Sequence, residues 1–176
     1  MTRQAPPSER LTWAVSCLDV QPADRLLEIG CGHGVAVSLV CDRLDGGQIV
    51  AIDRSSKMIA AAKARNAAYV AAGKASFVQA SAADAHFGDR RFDKVFALHV
   101  PVFLRGDPAR EMAAVRRCLA PGGRLYLLSQ PLRSSAVRAM AERLKHVISA
   151  SGFEVQQIRI DPLGAAPGVC AVAAAR

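Results

Sequence analysis

The stretch "LLEIGCGHG" at residues 26–34 constrains the fold more than any other segment of the chain. An apolar run that is typical of a buried strand leads into three glycines within five positions, and helix-forming residues follow. Glycine permits a tight turn between strand and helix, and its missing side chain lets a ligand approach the backbone at the helix N-terminus. The pattern therefore predicts a ligand site directly after a buried strand.

Strand-like and helix-like segments alternate along most of the chain. The predicted strands lie at residues 25–29, 46–53, 76–80, 92–100 and 123–130, and the helical patterns between them at 34–44, 55–72 and 107–120. Strands that are joined through helices pair in parallel, which predicts a three-layer α/β sandwich with a mostly parallel sheet. An amphipathic helix follows residue 134 and ends at Gly152.

Two further strand-like runs, "FEVQQIRI" and "GVCAVAAA", end the sequence. The seven residues "DPLGAAP" between them are too few for a helical crossover. We therefore expect these last two strands to be antiparallel neighbours.

The size of the chain predicts one domain. With 176 residues, of which 51% are hydrophobic, it can build one sizeable core but not two comfortable ones. We expect a single domain over residues 1–176, in which residues 1–20 form a helical cover over the ligand pocket. Trp13 is the only large aromatic residue of that segment, and we expect the loops at residues 99–107 and 129–135 to complete the cover.

The sequence indicates a cytoplasmic protein. Its first ten residues, "MTRQAPPSER", have no apolar segment, which argues against a signal peptide, and no run approaches the ~18 apolar residues of a membrane span. The five cysteines are odd in number, scattered, and contain no CxxC pair. That pattern favours reduced thiols over disulfides or a zinc site, and we expect no metal.

The net charge of +8 is unevenly distributed. Residues 54–74 carry five basic and no acidic side chains, and residues 105–145 carry nine basic and three acidic ones. A nucleic acid would suit such a balance, but solvated faces of arginine-rich helices explain it more simply. Aromatic residues make up only 5% of the chain, which leaves little for base stacking. A nucleic-acid partner is therefore not favoured.

Two carboxylates accompany the glycines. Asp53 ends the second predicted strand, where its two oxygens can accept hydrogen bonds from both hydroxyls of a ribose. Glu28 stands two residues before Gly30, where an anion is unwelcome beside phosphates but useful beside an amino group. The glycine spacing is GxGxG, whereas the dinucleotide fingerprint is GxGxxG. These features favour an adenosyl ligand with an amino group over a dinucleotide.

Four segments in this order, "LLEIGCGHG", "IVAIDRSSKMI", "FDKVFALHV" and "CLAPGGRLYLL", resemble the class I S-adenosylmethionine-dependent methyltransferases. The resemblance covers about residues 20–130, and the last helix and strand pair agree with it. It implies a Rossmann-like, seven-stranded sheet with an antiparallel last strand and S-adenosylmethionine as the cofactor. Methyl transfer then needs little side-chain chemistry, because the sulfonium already activates the methyl group.

The resemblance also implies the residues that hold the cofactor. Around the methionine moiety it places the residues of the glycine turn and the acid before it, namely Glu28, Gly30, Cys31, Gly32 and Gly34. It assigns the ribose to Asp53 and the flanks of the adenine to Arg54 and Met58.

One position departs from the family pattern. Many relatives carry an acid after the third strand, where it accepts a hydrogen bond from the adenine amino group. Here that position falls on Ser81, followed by Ala82. A serine can still accept one such bond, and Asp84 is the substitute if the register slips.

His99 is the candidate catalytic residue. It ends the fourth predicted strand beside the implied methyl group, where it could act as a general base for an acidic O–H or N–H of the acceptor. Alternatively, it only lines the pocket, with its backbone helping to hold the cofactor. The sequence leaves both roles open.

The sequence thus predicts a methyltransferase that acts on a small molecule at oxygen, nitrogen or carbon. The alternatives within the class are an RNA or a protein methyltransferase that uses the basic helices. An NAD-dependent oxidoreductase and an inactive cofactor-binding partner subunit are less favoured, since the GxGxG turn with Glu28 is intact. The acceptor and the oligomeric state are beyond the sequence.

Overall fold

A seven-stranded sheet forms the centre of the protein in a computed structural model, which describes residues 8–164 and 166–176. The strands are β1 (Arg25–Ile29), β2 (Gln48–Asp53), β3 (Ala75–Gln79), β4 (Phe92–Leu98), β5 (Leu119–Ser129), β6 (Phe153–Asp161) and β7 (Gly168–Ala175). Their order across the sheet is β3-β2-β1-β4-β5-β7-β6. The strands β1 to β5 pair in parallel, and β7 is antiparallel to both β5 and β6. The predicted fold class and the predicted antiparallel strand pair are confirmed.

Helices cover both faces of the sheet. They are α1 (Glu9–Cys17), α2 (Val35–Cys41), α3 (Ser56–Arg65), α4 (Ala67–Ala71), α5 (Pro101–Arg105), α6 (Ala109–Cys118) and α7 (Val137–Ala150), with a short 3-10 turn at Ser134–Ala136. Side chains of α1, α2 and α3 share one buried cluster with Leu26 and Phe96. Side chains of α5, α6 and α7 share the other with Leu27 and Val95. Alternate residues of the central strands thus pack into two hydrophobic cores, one on each face of the sheet, as a sheet covered by helices on both faces requires.

Two predicted helices have different boundaries in the structure. The helical pattern at 55–72 is two helices, α3 and α4, because Asn66 leaves helical geometry between them. The helix α3 begins after Ser55, whose hydroxyl accepts a hydrogen bond from the Met58 N–H and so caps the helix. The helix predicted from Asp107 begins at Ala109, although the Asp107 carboxylate still accepts a bond from the Ala109 N–H.

Trp13, the large aromatic residue of the predicted cover, packs against the C-terminal strands. Its side chain is only 9% exposed, and its indole N–H donates a hydrogen bond of 2.9 Å to the Asp161 carboxylate of β6. The ring lies against Gly168 of β7, where an added Cβ would come within 2.6 Å of it. Trp13 therefore fixes α1 to the C-terminal strands, and any cover over the pocket depends on other residues. Residues 1–7 of the predicted cover lie outside the described part of the chain.

Candidate functional site

A cavity of about 570 Å³ opens at the carboxyl ends of the parallel strands. Residues after β1, β2, β3 and β4 meet there, because the carboxyl ends of parallel strands share one edge of the sheet. Among the predicted site residues, its lining includes Gly30, Asp53, Arg54, Ser81, Ala82 and His99. Arg105 and Glu111 close the side formed by α5 and α6.

A smaller cavity of about 210 Å³ adjoins the first. It lies between α1, which contributes Arg10 and Leu11, and the glycine turn, which contributes Cys31. Glu28 forms part of its wall. Gly30, Leu98 and His99 line both cavities, which therefore lie side by side, and together we call them the cleft.

The glycine turn is bound to the neighbouring strand through its backbone. The N–H groups of Gly30 and Cys31 both donate to the Ile52 carbonyl, at 2.8 and 3.0 Å. Gly32 has a φ of +50°, and nothing lies within 4 Å of where its Cβ would stand. The middle of the turn thus presents bare backbone in a conformation that favours glycine, which leaves room for a ligand as predicted from the spacing.

Gly34 and Asn66 hold the end of the turn. Gly34 has a φ of +70° immediately before α2, and its carbonyl accepts a 2.9 Å bond from the Asn66 side-chain amide. Asn66 is fully buried and also accepts a bond from the Ser38 hydroxyl. Sequence reasoning missed Asn66. Its signal was the one side-chain amide in an alanine-rich helical pattern.

Gly34→Ala is expected to destabilise the protein by about 2 kcal/mol more than Gly46→Ala. Both glycines have positive φ, but an added Cβ at Gly34 would meet Asn66 Nδ2 at 2.7 Å and Ala62 Cβ at 2.9 Å, whereas Gly46 has open space. Urea unfolding followed by circular dichroism measures the difference. Equal losses for the two variants would contradict the packing seen around Gly34.

Asp53 fastens the glycine turn as well as facing the larger cavity. Its Oδ2 accepts a 3.0 Å bond from the Gly32 N–H, and its Oδ1 accepts a 2.9 Å bond from the Ser55 N–H. Each carboxylate oxygen has a second lone pair, so both can still accept a bond from a ligand hydroxyl. The side chain therefore joins turn, helix and cavity at one point.

Glu28 is a buried carboxyl group without a counter-charge. It is only 3% exposed, and its Oε2 has no hydrogen-bond partner among the described residues. Burial, followed by the nearby Asp53 carboxylate, raises the pKa of Glu28 to about 8. A buried polar atom without a partner is costly and rare. The position suits a ligand that brings a hydrogen-bond donor or a positive charge.

His99 stands at the junction of the two cavities in an unusual backbone conformation. Its φ is +57°, and its N–H donates to the Leu128 carbonyl at 2.8 Å. The ring Nδ1 lies 3.2 Å from the hydroxyl of the fully buried Ser129. Desolvation, then the charges of Arg10 and Arg105, lower the pKa of His99 below its ordinary value. The imidazole is therefore neutral at neutral pH and able to accept a proton.

The residues predicted around an adenine are only partly brought together. Ser81 and Ala82 line the larger cavity with Arg54. Asp84 is exposed, where its carboxylate accepts a 2.6 Å bond from the Ser81 hydroxyl and forms an ion pair with Arg110. Met58 is half-buried in the first turn of α3 and is absent from the described lining of both cavities.

Cys31 is a packed residue of the turn. It is 6% exposed, and burial, followed by the charges of Glu28 and Asp53, raises its thiol pKa to about 12. A thiol of that pKa is not a nucleophile at neutral pH. The described residues contain no cluster of His, Cys, Asp and Glu that could hold a metal ion, and all five cysteines are free.

The cleft as a whole fits an elongated polar ligand. Glu28 offers an unpartnered carboxyl group to a cationic or donor group at the smaller cavity, and Gly32 offers open backbone. Asp53 offers acceptors to a pair of hydroxyls, and Ser81 can meet a polar ring edge in the larger cavity. Amino, diol and heterocycle ends of one molecule would find matching groups along this line.

A family comparison identifies the chain. The profile of a methyltransferase domain matches residues 26–123, from the first buried strand through the glycine turn to β5. The chain belongs to the methyltransferase domain family. The match spans all the residues that line the larger cavity, whereas the α1 helix, which lines the smaller one, and the strand pair β6–β7 lie outside it.

Over the aligned residues, the chain is about one-third identical to curated methyltransferases. The chain is 32% identical over 157 residues to the O-methyltransferase resE of Aspergillus sclerotiorum, which covers 86% of this chain and 59% of the relative. It is 33% identical over 121 residues to trans-aconitate 2-methyltransferase of Acidovorax ebreus, which covers 66% of this chain and 43% of the relative. The methyltransferase domain described here thus spans about half of the length of these relatives.

The fold is shared with solved methyltransferase structures. The glycopeptide N-methyltransferase MtfA complexed with S-adenosyl-L-methionine superposes with a TM-score of 0.79 at 18% identity, over 99% of this chain and 90% of that one. No helix of the described residues combines the length and apolar character that crossing a membrane requires.

Proposed function

We propose that the protein is an S-adenosylmethionine-dependent methyltransferase that methylates a small molecule at oxygen, nitrogen or carbon. The observation that carries the proposal is the buried Glu28 carboxyl group, whose Oε2 has no partner among the described residues, at the end of a cleft that also contains Asp53. The relatives named O-methyltransferase and trans-aconitate 2-methyltransferase support the reaction class. The accepting atom stays open.

The cleft residues would hold the cofactor as follows. Glu28, with Gly30, Cys31, Gly32 and Gly34 of the turn, would receive the methionine moiety. The ammonium group of that moiety would supply the positive counter-charge that is missing beside Glu28. Asp53 would accept bonds from the ribose hydroxyls. Arg54, Ser81 and Ala82 would surround the adenine, whereas Met58, which is absent from the described lining of both cavities, is not assigned to it. S-adenosylmethionine supplies an activated methyl group when bound.

The chain's own residues then position the acceptor and exclude water. His99 lies at the junction of the two cavities, and its neutral imidazole can take a proton at a ring nitrogen from an acidic acceptor O–H or N–H. Ser129 fixes the orientation of that ring through its hydroxyl. Where the acceptor needs no proton removed, His99 serves only as a wall of the pocket.

A small-molecule acceptor is favoured over RNA or protein. The volume of the larger cavity, about 570 Å³, lies within the range of small-molecule sites. In the described part of the chain, none of the exposed large hydrophobic side chains is aromatic, so a base-stacking surface is lacking there. We further propose that the protein works in the cytoplasm, an assignment that its five free cysteines support.

The protein is expected to bind S-adenosylmethionine and S-adenosylhomocysteine at least tenfold more tightly than NAD. The reason is that Glu28 suits an amino group, and that the GxGxG turn lacks the glycine spacing with which dinucleotide-binding proteins accommodate a pyrophosphate. Isothermal titration calorimetry with the three ligands measures the preference. Tighter binding of NAD would contradict the proposal and favour an oxidoreductase.

A further inference from the structure

Two arginines from different helices flank His99. Arg10 of α1 lines the smaller cavity, and Arg105 at the end of α5 lines the larger one, while His99 lines both. Both arginine side chains are exposed, and within residues 8–164 and 166–176 neither has an ion-pair or hydrogen-bond partner. Two arginines without a described partner thus line the two cavities that meet at His99.

The carboxylates of the cleft do not neutralise this charge around His99. Glu28 is protonated at neutral pH, because its pKa is raised to about 8, and Asp53, although a carboxylate, is anchored at the glycine turn and is not among the charges that act on His99. The charges of Arg10 and Arg105 act on His99, and no carboxylate is found to oppose them there. Glu111 lines the larger cavity but forms no ion pair with Arg105. The two charged groups that act on His99 are therefore both positive.

We propose that the methyl acceptor is a small organic acid, whose carboxylate is held between Arg10 and Arg105 beside His99. The inference rests on the proposed function and narrows its substrate class. Guanidinium groups bind carboxylates through paired, charge-assisted hydrogen bonds, which are stronger than neutral ones and fix the orientation of the bound group. Two such groups on opposite sides of the junction would turn the acceptor toward the methyl-donor side of the cleft.

The test uses the protein loaded with S-adenosylhomocysteine and pairs of compounds that differ only in charge. We would titrate 4-hydroxybenzoate against 4-hydroxybenzamide, and trans-aconitate against its triamide, by calorimetry. Acids are expected to bind at least tenfold more tightly than their amides. At S-adenosylhomocysteine concentrations that saturate each variant, Arg105→Met and Arg10→Met are each expected to weaken acid binding about tenfold, which corresponds to roughly 1.4 kcal/mol, and to leave amide binding unchanged. Arg138→Met is the matched control, since this exposed arginine of α7 is absent from the described lining of both cavities.

Different results would contradict the organic-acid acceptor and the proposed methyltransferase function. A wild-type protein that binds S-adenosylhomocysteine but none of the acids would overturn the inference and leave the proposed function in place. Acids that bind equally well to wild type and to both arginine variants would also overturn it. A wild-type protein that does not bind S-adenosylhomocysteine would contradict the proposed function, and the inference would fall with it. Arg105→Lys keeps the positive charge but loses the two parallel N–H donors of the guanidinium group. It is therefore expected to bind acids more tightly than Arg105→Met but less tightly than wild type.

Discussion

Glu28→Gln is expected to stabilise the ligand-free protein at pH 7–8 while it weakens S-adenosylhomocysteine binding at least tenfold. In the folded protein the pKa of Glu28 is about 8, against an ordinary value of 4.5. The stability that this group contributes is therefore complete below pH 4.5 and is lost as the pH rises toward 8. At pH 7 the loss amounts to roughly 3 kcal/mol, which the uncharged glutamine does not incur.

Urea unfolding of wild type and Glu28→Gln at pH 5 and pH 8 measures this effect. The wild-type free energy of unfolding is expected to fall between the two pH values by about 3 kcal/mol more than that of the variant. Glu154→Gln, at an exposed position of β6, is the matched control and should follow the wild type. Identical pH dependence in wild type and Glu28→Gln would show that the carboxyl group is ionised in the ligand-free protein.

Ligand binding should show the same titration. An ammonium group beside Glu28 favours the carboxylate, so the affinity of wild type for S-adenosylhomocysteine is expected to rise from pH 6 to pH 8. Binding at pH 7 then releases a proton from Glu28, which calorimetry detects when it is repeated in buffers of different ionisation enthalpy. The proton release is expected to disappear in Glu28→Gln. Release of the same size in the variant would place the titrating group elsewhere.

Asp53→Ala is expected to weaken adenosyl-ligand binding at least tenfold and also to destabilise the protein. Charge-assisted hydrogen bonds contribute about 1.5–3 kcal/mol each, and about 1.4 kcal/mol is one decade of affinity. The alanine would also leave the N–H groups of Gly32 and Ser55 without their acceptor. Calorimetry and urea unfolding measure the two losses.

Asp53→Asn separates the two roles, because its single side-chain oxygen can still accept one of these backbone bonds. It is expected to recover part of the stability but not the affinity. Asp84→Ala is the control, since Asp84 is exposed and paired with Arg110, and its affinity loss should be much smaller. Unchanged affinity in Asp53→Ala, with the circular dichroism spectrum intact, would mean that the cofactor binds elsewhere.

The fold could be predicted from the sequence because local patterns decide it. Alternating strands and helices dictate parallel pairing, and the seven residues between the last two strands exclude a helical crossover. Glu28 and Asp53 could also be located, since both stand at or near the carboxyl ends of buried strands.

Contacts between distant parts of the chain could not be predicted. Trp13 was expected only as part of the N-terminal cover, and its partner Asp161 lies 148 residues away, a pairing that no local pattern encodes. The anchoring of Asp53 by backbone N–H groups depends on the folded shape of the glycine turn. The convergence of Arg10 and Arg105 on His99 depends on how α1 and α5 are placed over the cleft, which periodicity does not reveal.

The packing of Trp13 against Gly168 restricts how this sequence can diverge. Any side chain at position 168 would put its Cβ within 2.6 Å of the indole ring, so alanine is accepted there only if position 13 becomes smaller. The loss of the indole also removes the bond to Asp161, which leaves that carboxylate with Arg159 alone. Positions 13, 161 and 168 are therefore expected to change together among homologues. In an alignment, this covariation would link the first helix to the last two strands.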